Sequence, residues 1–140
     1  MTVLGSRDQL CINATLSDCS GREKVTRCKN LVQNKECRFF NTYAEKRDMI
    51  SKIYQNKAMD IEEWASEGKS QKFCPYYSTR NLIGQAHLVL LPFELFTDSK
   101  TIEMIQDHLK GSIVVVEDSD LFEGFVLDVG PLSIRANQSC

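Results

Sequence analysis

Four cysteines, Cys11, Cys28, Cys37 and Cys74, carry the chemistry that this sequence most directly suggests. Sixteen, eight and thirty-six residues separate successive members. A structural zinc site usually draws its thiolates in close pairs such as C-x2-C, and no such pair occurs in the chain. Four thiolates gathered from distant points suit an iron–sulfur cluster, whose corners can be held by Cys from separate loops. A zinc-binding module with the same four ligands is the competing reading. Cys19 lies in the polar turn Ser17-Asp-Cys-Ser20 and competes with Cys28 as a ligand, whereas Cys140 is the final residue and is set aside.

Other residues offer weaker chemistry. Between residues 22 and 38 the basic Arg22, Lys24, Arg27, Lys29, Lys35 and Arg38 meet only Glu23 and Glu36, around two of the cysteines. Such a stretch is either a solvated surface or a patch for phosphates. Tyr76 and Tyr77 follow Cys74 closely and either stack on unpaired bases or pack around the metal group; Phe39 and Phe40 after Cys37 share that ambiguity. Glu117 and Asp118, with Asp120, close an apolar run, as in NTPases that hold Mg²⁺ and orient an attacking water there. An ordinary acidic strand–loop junction is the alternative. Gly68-Lys69-Ser70 resembles the end of a phosphate loop, but Glu63 stands where its first glycine belongs, and a helix precedes it. Trp64 reads as helix core, and His87 and His108 as structural residues far from the cysteines.

The chain has 140 residues, 42% of them apolar, enough for one domain with a core. Its net charge of −2 conceals a basic first part, +4 over residues 1–80, and an acidic remainder, −6 over residues 81–140. Six cysteines and the sequons at Asn13 and Asn137 would fit a secreted disulfide framework. The first eight residues lack the apolar stretch of a signal peptide, and the longest apolar run, Leu88 to Phe93, is far short of a membrane span. A soluble intracellular protein is expected, where unpaired thiols point to metal more than to disulfides.

The elements that must position these groups change character along the chain. Residues 1–42 read as loops with one short helix near 23–33. Met49, Ile50, Ile53 and Tyr54 define an apolar helical face within 44–55. Asp60 with Glu63 forms a capping box for the next helix, which Gly68 is expected to stop. Pro75 suits the first turn of a helix running through Tyr77, Leu82 and Ile83, which puts Cys74 at a positive helix end that favours its thiolate. Then His87–Leu91 reads as a strand, 99–109 as a helix with Ile102, Ile105 and Leu109 on one face, and the β-branched 112–116 as a second strand. Strand, helix and strand predict a parallel βαβ unit, so the fold class is α/β.

With these residues in view, the chain resembles the iron–sulfur helicases of the XPD family. The matching runs are Leu4-Gly-Ser-Arg-Asp-Gln-Leu-Cys11, Cys37-Arg-Phe-Phe40, Asp60-Ile-Glu-Glu63, Cys74-Pro-Tyr-Tyr-Ser-Thr-Arg80 and Leu91-Pro-Phe93. Lys110-Gly-Ser-Ile-Val-Val-Val116 aligns with the strand that leads to the family's D-E-A-H box. The likeness runs in one consistent order from residue 4 to about residue 123. It implies a mostly helical iron–sulfur domain over 1–80, followed over 81–140 by part of a RecA-like motor domain with a divergent tail. It further implies a 4Fe–4S cluster ligated by Cys11, Cys28, Cys37 and Cys74. The complete enzyme would be an ATP-dependent 5′–3′ DNA helicase in repair or telomere maintenance, working in the nucleus on single-stranded or forked DNA. Arg7 matches a family arginine that supports the cluster region and its DNA contacts, and Arg27, Lys29, Arg38, Tyr76 and Tyr77 are the further candidates for DNA.

Two departures limit what the resemblance implies. Glu117-Asp118-Ser119-Asp120 stands where the family has D-E-A-H, so Glu117 would replace the Mg²⁺-associated aspartate and Asp118 the water-activating glutamate. Each carboxylate is displaced by about one methylene, which catalytic geometry tolerates poorly. The chain also lacks the family's phosphate loop and second motor domain. A fragment, a truncated product or a decayed paralogue is expected, with Mg-ATP used only in the context of a complete helicase. A catalytically inactive, helicase-derived DNA-binding or regulatory protein is the alternative.

Overall fold

The computed structural model describes residues 1–96, 98–113 and 115. The chain divides into two units, Met1–Leu95 and Phe96–Cys140. In the first unit, strand β1 (Thr2–Val3) leads to helix α1 (Arg7–Leu10), a 3-10 turn (Ala14–Leu16), α2 (Gly21–Gln33), α3 (Arg38–Tyr54), α4 (Ile61–Gln71), α5 (Pro75–Asn81), a second 3-10 turn (Ile83–Gln85) and strand β2 (Val89–Leu90). Helix α6 (Phe93–Phe96) stands at the division, and α7 (Ser99–Leu109) belongs to the second unit.

The two strands pair in parallel, Thr2 against Val89 and Val3 against Leu90. Parallel strands cannot be joined by a hairpin, so a long crossover must link them. Here that crossover contains α1 to α5 and all of the described cysteines. Thr2, fully buried, donates its hydroxyl to the Thr79 carbonyl at 3.1 Å, which ties the strand pair to α5. The chain is thus mostly helical with a parallel pair, as expected. The members differ from the expected βαβ unit: the partner of β2 is β1, drawn from a stretch expected to be loop. Ser112, Ile113 and Val115 have no strand conformation, and Ile113 and Val115 are 92% and 83% exposed. A continuous β-branched run forms a covered strand only when neighbours pair with it and bury it. Val114 and Val116, and the acidic box after them, lie outside the described residues.

Local chemistry accounts for most helix boundaries. Ser6 and Gln9 cap α1 reciprocally, which the loop reading of residues 1–42 missed. Asp60 and Glu63 form the expected capping box of α4. Asp98 accepts the Thr101 N–H at the start of α7, whose span matches expectation. Helix α3 begins six residues earlier than the apolar face alone suggested and bends at Lys46, which has non-helical angles. Helix α5 ends at Asn81, and Ile83 falls in the 3-10 turn.

Gly68 does not stop α4; the helix continues to Gln71 and ends on Lys72 in the left-handed conformation (φ 63°). Its role is spatial. A Cβ at Gly68 would overlap the Pro75 ring and stand 2.9 Å from the Phe73 carbonyl oxygen. Only glycine lets α4 pass this closely beneath the start of α5. The core next to this crossing holds Trp64, fully buried, with Tyr54 at 5.3 Å and Phe73 at 6.4 Å between ring centroids. Gly68→Ala should therefore cost about 1–3 kcal/mol by overpacking, read as a lower denaturation midpoint. Lys72→Gly, which relieves a left-handed residue, should leave stability unchanged or raise it.

Candidate metal centre and its surroundings

The four cysteines reach their positions from four helices. Cys11 caps the C-terminal end of α1, and its N–H donates to the Arg7 carbonyl. Cys28 lies within α2. Cys37 and Cys74 are the N-cap residues of α3 and α5, each with extended backbone angles, and Pro75 fills the first turn of α5 as expected. All four line a single cavity together with Arg7, Asn13, apolar Ile12, Leu16, Leu31 and Val32, and the aromatic Phe39, Phe40, Tyr76 and Tyr77. Cys28, Cys37 and Cys74 are buried, and Cys11 is partly so.

Cys19 stands apart. It is buried against Leu16 and Cys28, its thiol donates to the Leu16 carbonyl at 3.5 Å, and it does not line the cavity. The five described cysteines are free thiols, and Cys140 lies outside the described residues. Among the described residues, no three His, Cys, Asp or Glu side chains stand close enough together to hold a single metal ion.

Electrostatics inside the cavity are unfavourable to bare thiolates. Burial pushes the Cys74 thiol up to about 12; the neighbouring Cys37, Cys11 and Cys28 push in the same direction, while the Tyr77 backbone N–H opposes them. Burial likewise raises Cys11, with Cys28 and Cys37 adding to it and Lys24 opposing. The helix start does favour a Cys74 thiolate, through the Tyr77 backbone N–H, but burial outweighs it. A short helix end contributes about 0.3–1 kcal/mol, less than the desolvation of an almost fully buried anion among three other sulfurs.

The groups around the thiols suit sulfur anions. Asn13 donates an Nδ2–H to Cys37 Sγ at 3.7 Å, while its Oδ1 accepts from the Thr15 N–H and hydroxyl. The Arg7 guanidinium lies over the Tyr76 ring at 4.0 Å and donates to the Tyr76 hydroxyl at 2.8 Å and the Tyr77 hydroxyl at 3.4 Å. Burial works to lower the Arg7 pKa, but Tyr76, Cys28 and Tyr77 outweigh it and hold it above the usual value. Arg7 Nε is buried with no acceptor among the described residues. An orphaned donor on a cation that faces Cys28 is what a wall built to meet a ligated thiolate would present. In donor type, four cysteines on one cavity, the residues present fit a four-thiolate iron–sulfur group.

The other sequence candidates divide into wall and surface. Tyr76 also carries the Arg80 guanidinium at 3.5 Å from its centroid, and Tyr77 packs edge-on against Phe40 at 4.7 Å and beside Tyr43 at 6.1 Å. Arg7, Tyr76 and Tyr77 thus gather at the cavity. Arg27 is tied to Asp18 at 3.3 Å, to Glu23 at 3.7 Å and to the Thr15 carbonyl. Lys29 and Arg38 are exposed, with the Arg38 guanidinium 4.8 Å from the Phe39 ring centroid. Lys24, grouped in sequence with the phosphate-facing stretch, is instead buried and paired with Asp8 at 3.1 Å. Asn13, Tyr43, Asp8 and Arg80 escaped the sequence reading; Asp8 and Lys24, each about one helical turn before a cysteine, were the available signal. Gly68-Lys69-Ser70 is helical, which rules out a phosphate loop there. His87 and His108 are exposed, and neither lines the cysteine cavity. Glu117 and Asp118 lie outside the described residues, as does the sequon at Asn137.

Comparison with known proteins adds a family. The family described as DEAD_2 matches residues 1–138. Regulator of telomere elongation helicase 1 from Rattus norvegicus is 32% identical over 118 residues, 84% of this chain and 9% of the relative. The protein of that name from Homo sapiens is 31% identical over 118 residues, 84% of this chain and 10% of the relative. A homolog from Anopheles gambiae is 28% identical over 136 residues, 96% of this chain and 14% of the relative. The chain therefore spans about a tenth of the length of these relatives. No solved structure matches it.

The thiol electrostatics set a pH dependence for the metal-free chain. Cys74 has a folded pKa raised from 9.0 to about 12, so its contribution to stability is complete below pH 9 and is lost as pH rises towards 12. The loss should approach 1.4 kcal/mol per pH unit in that window. Urea denaturation of reduced, chelator-treated protein should show it, and Cys74→Ser should flatten it.

Proposed function

The chain belongs to the DEAD_2 family of XPD-type helicases, and we propose that it is the iron–sulfur segment of an ATP-dependent 5′–3′ DNA helicase in telomere and genome maintenance. The observation that carries this reading is the convergence of Cys11, Cys28, Cys37 and Cys74 on one cavity, from which Cys19 is excluded. Four thiols brought from four separate helices to one cavity suit an iron–sulfur group, whose corners can be held by Cys from distant points of the chain. When bound, the 4Fe–4S cluster supplies four thiolate–iron bonds that tie α1, α2, α3 and α5 together.

In this reading residues 1–80 form the cluster domain, and 81–140 begin a RecA-like motor domain with a divergent tail. Arg7 holds the Tyr76–Tyr77 pair against the cavity and offers its unpaired Nε to the ligand side. Tyr76 and Tyr77 serve the wall first, since their hydroxyls and rings already have partners. The phosphate contacts fall to the exposed cations around α2 and the start of α3, Lys29 and Arg38 among them, with Arg27 reaching DNA only by exchanging its acidic partners. The names of the relatives refer to telomeres, and a nuclear location for this chain rests on that resemblance. No helix among the described residues is long and apolar enough to cross a membrane.

The altered acidic box favours a second reading. Glu117-Asp118-Ser119-Asp120 in place of D-E-A-H suits a catalytically inactive, helicase-derived DNA-binding or regulatory protein. DNA-stimulated ATP hydrolysis by the full-length product separates the two: turnover supports the helicase, and DNA binding without turnover supports the inactive derivative.

Anaerobically purified protein should be brown and carry about four irons per chain. Cys74→Ser should abolish iron binding and Cys19→Ser should leave it unchanged; a colourless protein with one tightly bound zinc would sink the cluster. Binding to single-stranded or forked DNA should weaken steeply with salt, and Arg38→Gln should reduce the salt slope by about 1.

A further inference from the structure

The pair Lys24–Asp8 is assigned no part in the function above, yet its placement is unusual. The Lys24 ammonium is 3.1 Å from Asp8 Oδ1, and the Lys24 side chain is only 11% exposed while that of Asp8 is 43% exposed. Lysines are almost never this deeply buried without a compensating partner. Asp8 is held further by the Gly21 N–H, which donates to its Oδ2 at 3.0 Å. Gly21 begins α2 with φ +52°, so the loop into that helix turns its N–H towards α1. Asp8 stands three residues before Cys11, and Lys24 four residues before Cys28 on the same helix. The pair therefore buries its positive end, within electrostatic reach of Cys11, and leaves its negative end towards solvent. Among the charged groups acting on Cys11, Lys24 is the one that favours its thiolate.

We propose that Lys24 is an electrostatic positioning residue for the iron–sulfur cluster: its buried ammonium offsets the negative charge of the thiolate-bound cluster, and Asp8 moderates that effect. The inference rests on the cluster reading above. A cluster bound by four thiolates is anionic and gains one further negative charge on taking up one electron. A nearby cation favours the more negative state and raises the reduction potential; a nearby anion lowers it.

The two members of the pair should therefore act with opposite sign. Lys24→Met, which keeps length and loses charge, should lower the midpoint potential of the loaded protein. Asp8→Asn, which leaves the ammonium uncompensated, should raise it. Lys24→Arg should keep the wild-type value, and Lys69→Met, at an exposed site on α4, should not move it. Were the pair merely a clasp between α1 and α2, both substitutions would loosen the same contact and shift the potential in the same direction or leave it unchanged. Either result overturns the inference. Should Lys24→Met fail to fold, Asp8→Asn alone decides, since only a rise agrees with the proposed role. Wild-type protein is measured first: if it carries no iron, the cluster reading itself fails, whereas a loaded wild type with indifferent variants refutes only the role of Lys24.

Discussion

Four sulfurs in one apolar cavity are the constraint on which the rest of this unit depends. As thiols they pack like small apolar groups, and the fold can bury them cheaply. As thiolates they repel one another and lose solvation, which is why Cys74 is pushed up to about 12. A metal group reverses that balance, because each ligand surrenders its proton and gains a bond. At the cavity wall, Arg7 Nε is buried without an acceptor among the described residues and the Asn13 amide donates to Cys37 Sγ, while the buried Lys24 ammonium is already paired with Asp8. The first two donors are little used beside neutral thiols and better matched to sulfur anions.

The fold serves this convergence by placing sulfurs at helix ends. Cys11, Cys37 and Cys74 occupy caps, where the backbone leaves helical geometry and a short side chain can turn inward. Glycine at position 68 then fixes where α5 begins, by allowing α4 to lie against Pro75. The parallel pair of β1 and β2 closes the arrangement, since it brings together the two ends of the chain segment that carries all four cavity cysteines. Two strands of two residues are too little to be stable alone. The Thr2 bond to the Thr79 carbonyl and the burial of Leu4 show how much they lean on the helices.

What could be read from the sequence was local. The span of α7, the Asp60 capping box and Pro75 at the start of α5 follow from periodicity and end chemistry within a few residues. The four cavity cysteines were legible through their spacing together with their neighbours. β1 was not, because two residues have no periodicity and their partner is remote in the chain. Gly68 was ambiguous for a different reason: glycine both ends helices and permits close approach, and only the position of Pro75 decides between them. Lys24 was misjudged as surface because composition records charge without direction. Its i, i+4 relation to Cys28 held the correct information, but its burial depends on Asp8 from another helix.

X-ray absorption at the metal edge of anaerobically purified protein tests the central claim most directly. If the four cysteines hold a 4Fe–4S cluster, the iron will show a sulfur shell together with a short iron–iron shell, and both will vanish in Cys74→Ser. A zinc edge with a single sulfur shell at about 2.3 Å and no metal–metal scattering would contradict it.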